Sequence, residues 1–409
     1  MHEKRADSTQ PHPAEKNAIR VMTIWLALRV LTCLLAALFS ALRPLTSLEK
    51  TTPLWPPCGN LSAWLERALV APWLHWDGVW FTRILTQGYA AGDGTTNFHP
   101  LYPWLSLPLA RLGLDPTVSL LVISSLATLL LMIVFVRLAR LDLGPAEAWT
   151  ALLCLVTFPT AFVLFAPYSE GVFLLGVVLA LLLTRQGRPL PAALAAFLAA
   201  LAHQLGLFLV LPMAWQAWEA SGRSPRGLVK AWREWLAALA APLGLAAWSV
   251  YRLGVLHEGR PDFHSLQALV YSALISPSAH LVVPVQAFVW PWQALWTAVA
   301  KALRAPDTDI LVNLALGLGF LLVLAGAWRH LKIGDQLFAL AITLISFSYS
   351  TGPVHPYMGL PRHLLVALPV FVGLGAALRK PWQRRIVILV QVLGMILLLL
   401  LYVLETWVP

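Results

Sequence analysis

The stretch "HWDGVWFTR" places an imidazole, an indole, a carboxylate and a guanidinium within nine residues of an apolar chain, at His75, Trp76, Asp77 and Arg83. A carboxylate within hydrogen-bond reach of a hydroxyl can remove its proton. A guanidinium can hold two oxygens of a phosphate group. These residue types at this spacing indicate a polar site in a chain that is 59% hydrophobic.

Membrane helices are the elements that we expect to position this site. Only 12% of the 409 residues are charged, and several apolar runs reach or approach the roughly 20 residues that cross a bilayer core of about 30 Å. Lipid provides no water for unpaired backbone groups, and the runs lack the alternation of barrel strands. We therefore expect an all-α polytopic membrane protein with about 10 or 11 transmembrane helices. The runs lie near 20–42, 117–138, 148–166, 169–184, 190–217, 236–255, 309–328, 336–350, 364–378 and 386–404.

The distribution of lysine and arginine predicts the orientation, because basic residues favour the cytoplasmic side. With a cytoplasmic N-terminus, the inner segments hold eighteen of the 29 basic residues and the longer outer loops hold nine. The first apolar run has no signal-peptide cleavage pattern, so we expect a retained helix. The predicted plasma-membrane protein has a cytoplasmic tail, one transmembrane domain and an outer tail, at 1–19, 20–404 and 405–409. Its outer segments are 43–116, 256–308 and 350–363.

The run 190–217 does not fit simple alternation, because basic clusters flank it on both sides. A V-shaped pair of half-helices, broken around "AHQLG" at 202–206, would bring both flanks to the same face. The first outer loop is rich in tryptophan, whose rings belong at headgroup depth. Its apolar stretch after Pro100 and Pro103 is too short to cross, so we expect a helix in the interface. Asp77 would then lie near the lipid headgroups.

Two classes of function are not supported by the composition. Cys33 and Cys154 lie in apolar runs and Cys58 stands alone, so the chain offers no disulfide framework and no Cys-x-x-Cys site. The net charge of +10 is explained by topology and by attraction to anionic inner-leaflet lipid. No nucleic-acid-binding motif accompanies it.

Four segments together resemble a known family. "HWDGVWF" (75–81) and "FHPLYP" (98–103) resemble the signature of the PIG-V mannosyltransferases and their bacterial relatives, which belong to the GT-C superfamily of polytopic glycosyltransferases. "APYSEGVFLL" (166–175) and "MGLPRHLLVALPVF" (358–371) are similar to the family's Tyr-Ser/Thr-Glu-Ser segment and to its late Arg-Tyr segment before a Pro-containing helix. The likeness covers roughly residues 20 to 375 in the same order. It implies a GT-C-like bundle with a long first extracytoplasmic loop.

The resemblance implies transfer of a hexose, with mannose the family's sugar, from a polyprenyl phosphate to a lipid-linked or envelope glycan acceptor, with inversion. It assigns to Asp77 the role of the base that activates the acceptor. It makes Arg362 the leading candidate to bind the departing phosphate, and Arg83, His203 and His363 are the next candidates. The implied substrate-binding residues are His75, Trp76, Arg83, His99, Tyr102, Tyr168, Glu170, His203, Gln204, Arg362 and His363. The partners are the sugar donor, the acceptor and membrane lipid, and no nucleic acid.

Three positions depart from the family pattern. His99 replaces a Phe, His363 replaces a Tyr after Arg362, and "AHQLG" (202–206) stands where relatives often carry an Arg before a Gly. These changes leave the sugar and the acceptor open. Structural readings also remain: Asp77 could cap the following helix, Glu170 could complement a helix dipole, and Arg362 could be an interfacial anchor.

Other readings remain open. His75, Asp77 and His99 could gather around a divalent cation, yet they show no dedicated ligand spacing, so no metal or other cofactor is expected. A multi-pass transporter or flippase of a lipid-linked or small polar substrate would also be polytopic, with a broken helix. Against it stand the polar residues in a long Trp-rich loop and the lack of an internal repeat. A non-catalytic envelope scaffold would not depend on Asp77.

Overall fold

The computed structural model describes residues 13–42, 63–258, 264, 276–283 and 285–407. Cys58 and the remaining parts of the tails and of the large loops lie outside these residues. The α-helices, in chain order, are α1 Pro13–Leu42, α2 Ala63–Leu69, α3 Asp77–Gln87, α4 Leu101–Arg111, α5 Pro116–Ala139, α6 Pro145–Val156, α7 Glu170–Arg185, α8 Pro189–Ala202, α9 Val210–Ala220, α10 Trp232–Ala238, α11 Ala240–Gly254, α12 Pro291–Arg304, α13 Thr308–Trp328, α14 Ile333–Ser348, α15 Leu360–Leu365, α16 Pro369–Ala377 and α17 Pro381–Val403. The strands β1 Ala287–Phe288 and β2 Tyr349–Ser350 pair antiparallel.

Five helical segments are long and apolar enough to cross a membrane: Asn17–Leu42, Pro116–Ala139, Trp232–Gly254, Thr308–Trp328 and Pro381–Val403. The third of these joins α10 and α11 across a short irregularity. Apart from one short pair of strands, the described residues therefore form a helical membrane protein, as expected.

Other expected runs form shorter helices or are interrupted. The run 148–166 contains the end of α6, a turn and the 3₁₀ helix Ala161–Phe165, and the run 364–378 is divided between α15 and α16. Proline accounts for the second division, since Pro369 begins α16 and cannot continue a preceding helix. These interruptions place non-helical backbone inside the bundle, where protein neighbours can satisfy its polar groups.

Helix α7 lies at the centre of the bundle. It packs against both α5 and α8, and most of its residues are buried. Its first residue is Glu170 and its last is Arg185, so an acid begins the helix and a base ends it. Both charges complement the helix dipole.

The broken helix predicted near 202–206 is present. Helix α8 ends at Ala202, His203 is extended, and a 3₁₀ helix over Gln204–Leu209 leads into α9. Pro189 at the start of α8 and Met213 of α9 line one small cavity, and α10 contacts both arms. The chain therefore returns to the level at which it entered, as a V-shaped pair requires.

A glycine allows the tight turn between the two arms. A Cβ added to Gly206 would lie 2.6 Å from the Cα of Ala200, which is far inside van der Waals contact. The residue after "AHQL" therefore has to be glycine for the 3₁₀ helix to pack back on α8.

Candidate active site

The four motif segments meet around one open cavity of about 180 Å³, here called the polar cavity. Helix α3, the loop before α4, the start of α7, the break after α8, the segment before β1, the end of α14 and helix α15 each contribute to its wall. The lining residues are Trp76, Asp77, Trp80, Phe81, Asn97, Phe98, His99, Ser169, Glu170, Ala202, His203, Gln204, Leu205, Val282, Val283, Gln286, Phe288, Ile345, Ser346, Tyr349, Met358, Arg362 and His363.

Arg362 joins two carboxylates in the wall of the polar cavity. Its Nη1 donates a hydrogen bond to Oδ2 of Asp77 at 2.5 Å, and its Nε lies 3.4 Å from Oε1 of Glu170. Burial alone would lower the pKa of Arg362, but Asp77 and then Glu170 hold the pKa of this guanidinium above its ordinary value. We refer to Asp77, Glu170 and Arg362 as the Arg362 cluster, and its cation remains charged at every physiological pH.

The backbone at the start of α3 is strained. Asp77 is the first residue of the helix, and Trp76 occupies the N-cap position with φ of 50° and ψ of −120°. A positive φ at a bulky residue is uncommon and costs on the order of 1–3 kcal/mol. Gly78 follows because an added Cβ would lie 2.6 Å from the carbonyl oxygen of Trp73. The chain is thus folded tightly so that the Asp77 side chain reaches Arg362.

This geometry is not that of a helix cap. The residue that caps a helix N-terminus precedes the first helical residue and accepts a hydrogen bond from a backbone N–H. Asp77 is already helical, and α3 has no side-chain cap at its N-terminus. The reading of Asp77 as a simple cap is therefore wrong.

Several polar atoms around Arg362 lack hydrogen-bond partners among the described residues, although Arg362 Nε lies within ion-pair distance of Glu170 Oε1. They are Trp76 Nε1, Glu170 Oε2 and Arg362 Nε, all buried and all belonging to residues that line the polar cavity. Each unsatisfied buried polar atom costs roughly 1–3 kcal/mol. Such atoms in a native structure call for a specific explanation, such as a catalytic role or an unseen bound group.

The ring of Tyr168 supports Arg362 from behind. The guanidinium carbon lies 5.2 Å from the ring centroid, and the tyrosine side chain is fully buried. Tyr168 does not line the polar cavity. Tyr168 therefore contacts Arg362 without forming part of the cavity wall.

Three predicted histidines and one glutamine do line the polar cavity. His99 is 5% exposed and its Nδ1 is 2.8 Å from the carbonyl oxygen of Ala200. His203 stacks on Phe173 with ring centroids 5.0 Å apart. Gln204 and His363 complete this side of the wall. Burial, and secondarily Arg362, lowers the pKa of His363 to about 3.

Three other predicted residues are not part of the cavity wall. Nδ1 of His75 pairs with Oε1 of Glu405 at 3.1 Å, and Tyr102 is fully buried, with its hydroxyl donating to the carbonyl oxygen of Leu120 at 3.0 Å. Arg83 pairs with Asp93 at 3.0 Å. Arg83 follows Asp77 by six helical residues, or about 240° around the axis, so the two side chains leave α3 on different faces.

Tyr349 and Gln286 are cavity residues that sequence reasoning missed. The hydroxyl of Tyr349 donates to Oε1 of Gln286 at 2.7 Å, and the β1–β2 pairing brings the two together. Trp80, which also lines the cavity, stacks on Phe98. The "HWDGVWF" motif contained Trp80, and the four-residue spacing from Trp76 could have indicated a shared helix face.

A buried carboxylate outside the cavity joins the two large loops. Glu258 is 4% exposed, and its Oε1 accepts hydrogen bonds from Thr96, from Ser276 at 2.8 Å and from Ser278 at 2.8 Å. Thr96 immediately precedes the cavity residues that begin at Asn97. Nothing in the sequence pattern around Glu258 indicates this contact.

The described part of the chain contains no group of three or more His, Cys, Asp or Glu side chains arranged to hold a metal ion. The three residues proposed as ligands point to different partners. Asp77 contacts Arg362, His99 contacts the Ala200 carbonyl and His75 contacts Glu405.

No family model and no curated protein matches this sequence. Among solved structures, ArnT from Cupriavidus metallidurans, bound to undecaprenyl phosphate, is 15% identical with a TM-score of 0.44, and the match covers 91% of this chain and 62% of ArnT. The oligosaccharyltransferase of Archaeoglobus fulgidus, tethered to an acceptor peptide, is 11% identical with a TM-score of 0.43, over 94% of this chain and 56% of its own. This chain thus spans about three fifths of the length of each. At these scores, neither a family nor an activity follows from the likeness.

Proposed function

We propose that this chain is a membrane glycosyltransferase of the GT-C type, which moves a hexose from a polyprenyl-phosphate donor to a hydroxyl of a lipid-linked or envelope glycan acceptor. The observation that carries the proposal is the Arg362 cluster, in which a carboxylate and a guanidinium from distant parts of the sequence meet in the wall of an open cavity. A general base and an anion holder at one site are the two groups that this reaction needs.

In the proposed reaction, Asp77 accepts the proton of the acceptor hydroxyl as its oxygen bonds to the anomeric carbon. The bond between that carbon and the phosphate oxygen breaks, and the lipid phosphate departs with the bonding electrons. Attack from the face opposite the phosphate inverts the anomeric centre. The hydrogen bonds among the described residues use Oδ2 of Asp77, so Oδ1 is the oxygen that we assign to the proton.

Arg362 stabilises the departing phosphate in this scheme. Its contacts with Asp77 and Glu170 use Nη1 and Nε, which leaves Nη2 to donate to a phosphate oxygen. A charged donor is suited to this task because the developing charge is concentrated on oxygen. Glu170 and Tyr168 keep the guanidinium in place and are positioning residues.

The finer assignments also belong to the proposal. The resemblance of the four motifs to PIG-V enzymes supports mannose as the sugar, and the basic residues support an extracytoplasmic site with the N-terminus in the cytoplasm. The tryptophan-rich first loop supports a site close to the lipid headgroups.

The test is an assay of membranes or purified protein with radiolabelled polyprenyl-phosphate mannose and, in parallel, other polyprenyl-phosphate hexoses and pentoses. The expected result is a glycosylated product from the wild type. With Asp77→Asn, which keeps the size of the side chain, turnover should fall by roughly 10²-fold or more. Donor binding and folding should be retained.

Three results would contradict the proposal. One is wild-type protein that makes no product from any donor. The second is protein that moves the intact donor across vesicle membranes without cleaving it, which would identify a transporter or flippase. The third is full turnover in Asp77→Asn, which would remove Asp77 from the chemistry and direct the search for a base to Glu170.

A further inference from the structure

Two histidines in the wall of the polar cavity use the same ring nitrogen in opposite ways. Nδ1 of His99 lies 2.8 Å from the carbonyl oxygen of Ala200, and Nδ1 of His203 lies 3.2 Å from the backbone nitrogen of Leu205. A carbonyl oxygen can only accept a hydrogen bond, and a backbone N–H can only donate one. Nδ1 therefore carries the hydrogen in His99 and a lone pair in His203.

The second ring nitrogen then has the opposite character in each residue, because a neutral imidazole carries one hydrogen. Burial, and secondarily Arg252, lowers the pKa of His99 to about 3, so this ring is neutral. Its Nε2 is an acceptor, whereas Nε2 of His203 is a donor. Among the described residues, the hydrogen bonds of these two rings use Nδ1 and leave Nε2 for another partner.

The break between α8 and α9 fixes both ring states. The carbonyl of Ala200 is in the last turn of α8, where intrahelical donors run out, and His99 supplies one. The N–H of Leu205 begins the 3₁₀ helix, where acceptors are lacking, and His203 supplies that acceptor as N-cap. Exchanging the hydrogen between the ring nitrogens would break these backbone contacts. Both residues line the polar cavity, and each has a fixed character at Nε2: an acceptor in His99 and a donor in His203.

We propose that His99 and His203 form a pair that recognises two hydroxyl groups of the sugar ring of the donor, with His99 accepting from one hydroxyl and His203 donating to the other. This inference rests on the proposed function. A sugar suits the pair because each hydroxyl both donates and accepts, and because neutral rings do not compete with the Arg362 cluster for the phosphate. The pair makes His99 and His203 determinants of sugar specificity.

Asparagine substitutions isolate the proposed role. The amide of asparagine can replace the Nδ1 contact, by donating to the Ala200 carbonyl in His99→Asn or by accepting from the Leu205 N–H in His203→Asn. It has no atom at the position of Nε2. Both variants should keep the wild-type melting temperature, while kcat/KM for the preferred polyprenyl-phosphate hexose falls roughly 2- to 10-fold, as expected for one lost hydrogen bond. His330→Asn, on the turn after α13, is the matched control.

Donors that lack one ring hydroxyl sharpen the test. The wild type should lose kcat/KM when the hydroxyl that faces His99 is removed, and His99→Asn should show no further loss with that same deoxy donor. His203→Asn should show the same behaviour with a different deoxy donor. This is a double-mutant cycle between a side chain and a ligand group.

The ring states can be measured without any turnover. In protein labelled with ¹⁵N-histidine, the NMR signals that vanish in each asparagine variant identify the two residues. They should show hydrogen on Nδ1 for His99 and on Nε2 for His203. The same tautomer in both rings would overturn the inference.

The outcomes separate this inference from the proposed function. If the wild type transfers sugar but both asparagine variants discriminate among deoxy donors as the wild type does, the pair does not read the sugar and only this inference fails. If the wild type transfers no sugar from any donor, the proposed function fails and the inference fails with it.

Discussion

Two arginines, Arg362 and Arg185, are buried to nearly the same extent and have the same number of acidic partners. Their side chains are 11% and 12% exposed, and each pairs with two carboxylates. Nη1 of Arg185 lies 2.6 Å from Oδ2 of Asp142, and its Nη2 contacts Asp335. Lys332 adds a second cation to Asp142 at 2.6 Å. We refer to these four residues as the Arg185 cluster.

The two clusters differ in how many of their polar side-chain atoms have hydrogen-bond partners. In the Arg185 cluster, each carboxylate receives at least one strong charged hydrogen bond, and its residues are absent from the wall of the polar cavity. In the Arg362 cluster, Glu170 Oε2 and Arg362 Nε have no hydrogen-bond partner among the described residues, and a cavity lies beside them. Burial and charge alone therefore do not separate the two clusters, and the difference between them lies in the unsatisfied atoms beside a cavity, which support the proposed role of the Arg362 cluster.

The largest effect should come from breaking the Arg362 cluster at its centre. Arg362→Ala should reduce kcat/KM at donor concentrations below saturation by roughly 10²-fold or more, because both carboxylates and the phosphate lose their cation. Arg362→Lys should restore only part of the activity, since an ammonium lacks the planar fork.

The matched control for that prediction is Arg185→Lys, which makes the same change at the same burial. It should leave kcat/KM within about 2-fold of the wild type if the Arg185 cluster is structural. Equal losses of kcat/KM in Arg185→Lys and Arg362→Lys would contradict the idea that only the Arg362 cluster takes part in the reaction.

A smaller loss is expected for Glu170→Gln. The amide keeps the shape of the side chain but weakens the hold on Arg362, so the KM for donor should rise roughly 10-fold while kcat changes less. Asp335→Asn is the control, because Asp335 has the same place beside Arg185. An unchanged KM in Glu170→Gln would show that Glu170 does not position Arg362.

For the free energy of unfolding, we expect the opposite order: a variant of the Arg185 cluster should lose more stability than a variant of the Arg362 cluster. Asp142→Asn removes the carboxylate that pairs with Arg185 and Lys332, and should lower the free energy of unfolding by about 1–3 kcal/mol without changing turnover. Asp77→Asn should leave the melting temperature unchanged or raise it, since functional sites often sacrifice stability. Thermal melting in detergent measures both, and a larger loss from Asp77→Asn would make the Arg362 cluster structural.

The last prediction concerns which side of the membrane each segment faces, and it requires no activity measurement. In a variant without native cysteines, Ala91→Cys and Val354→Cys should react with a membrane-impermeant reagent from outside. Gln186→Cys and Ser224→Cys should react only from inside. Opposite labelling of Gln186 and Ser224 would contradict the proposed placement of the V-shaped pair.

Local patterns predicted much of this architecture. Apolar runs predicted the membrane helices, and basic flanks together with "AHQLG" predicted the break after Ala202. The motif resemblance assigned Asp77, Glu170 and Arg362 to one site; the three side chains lie together in the wall of the polar cavity, and their roles stay predictions. Each of these predictions relies on information within a short stretch or on a family pattern.

Contacts between distant loops could not be predicted in the same way. Glu258 binds Thr96 across 162 positions, and Gln286 reaches Tyr349 through a ribbon only two residues long on each strand. His75 and Arg83 were assigned to the site because they are close to Asp77 in sequence. Helical rotation carries Arg83 away, and His75 is drawn to Glu405 at the far end of the chain.

Helix α7 has one further consequence, which concerns the thickness of the bilayer. It contains sixteen residues, so its first and last Cα atoms, at Glu170 and Arg185, are separated by roughly 22 Å. The hydrocarbon core is about 30 Å thick. In the proposed orientation, Arg185 would lie at the cytoplasmic boundary of that core, and the floor of the polar cavity would lie below the opposite headgroup plane. The proposed glycan acceptor would then have to enter below the membrane surface to reach the lipid-linked sugar. The length of α7 would determine the depth of that site.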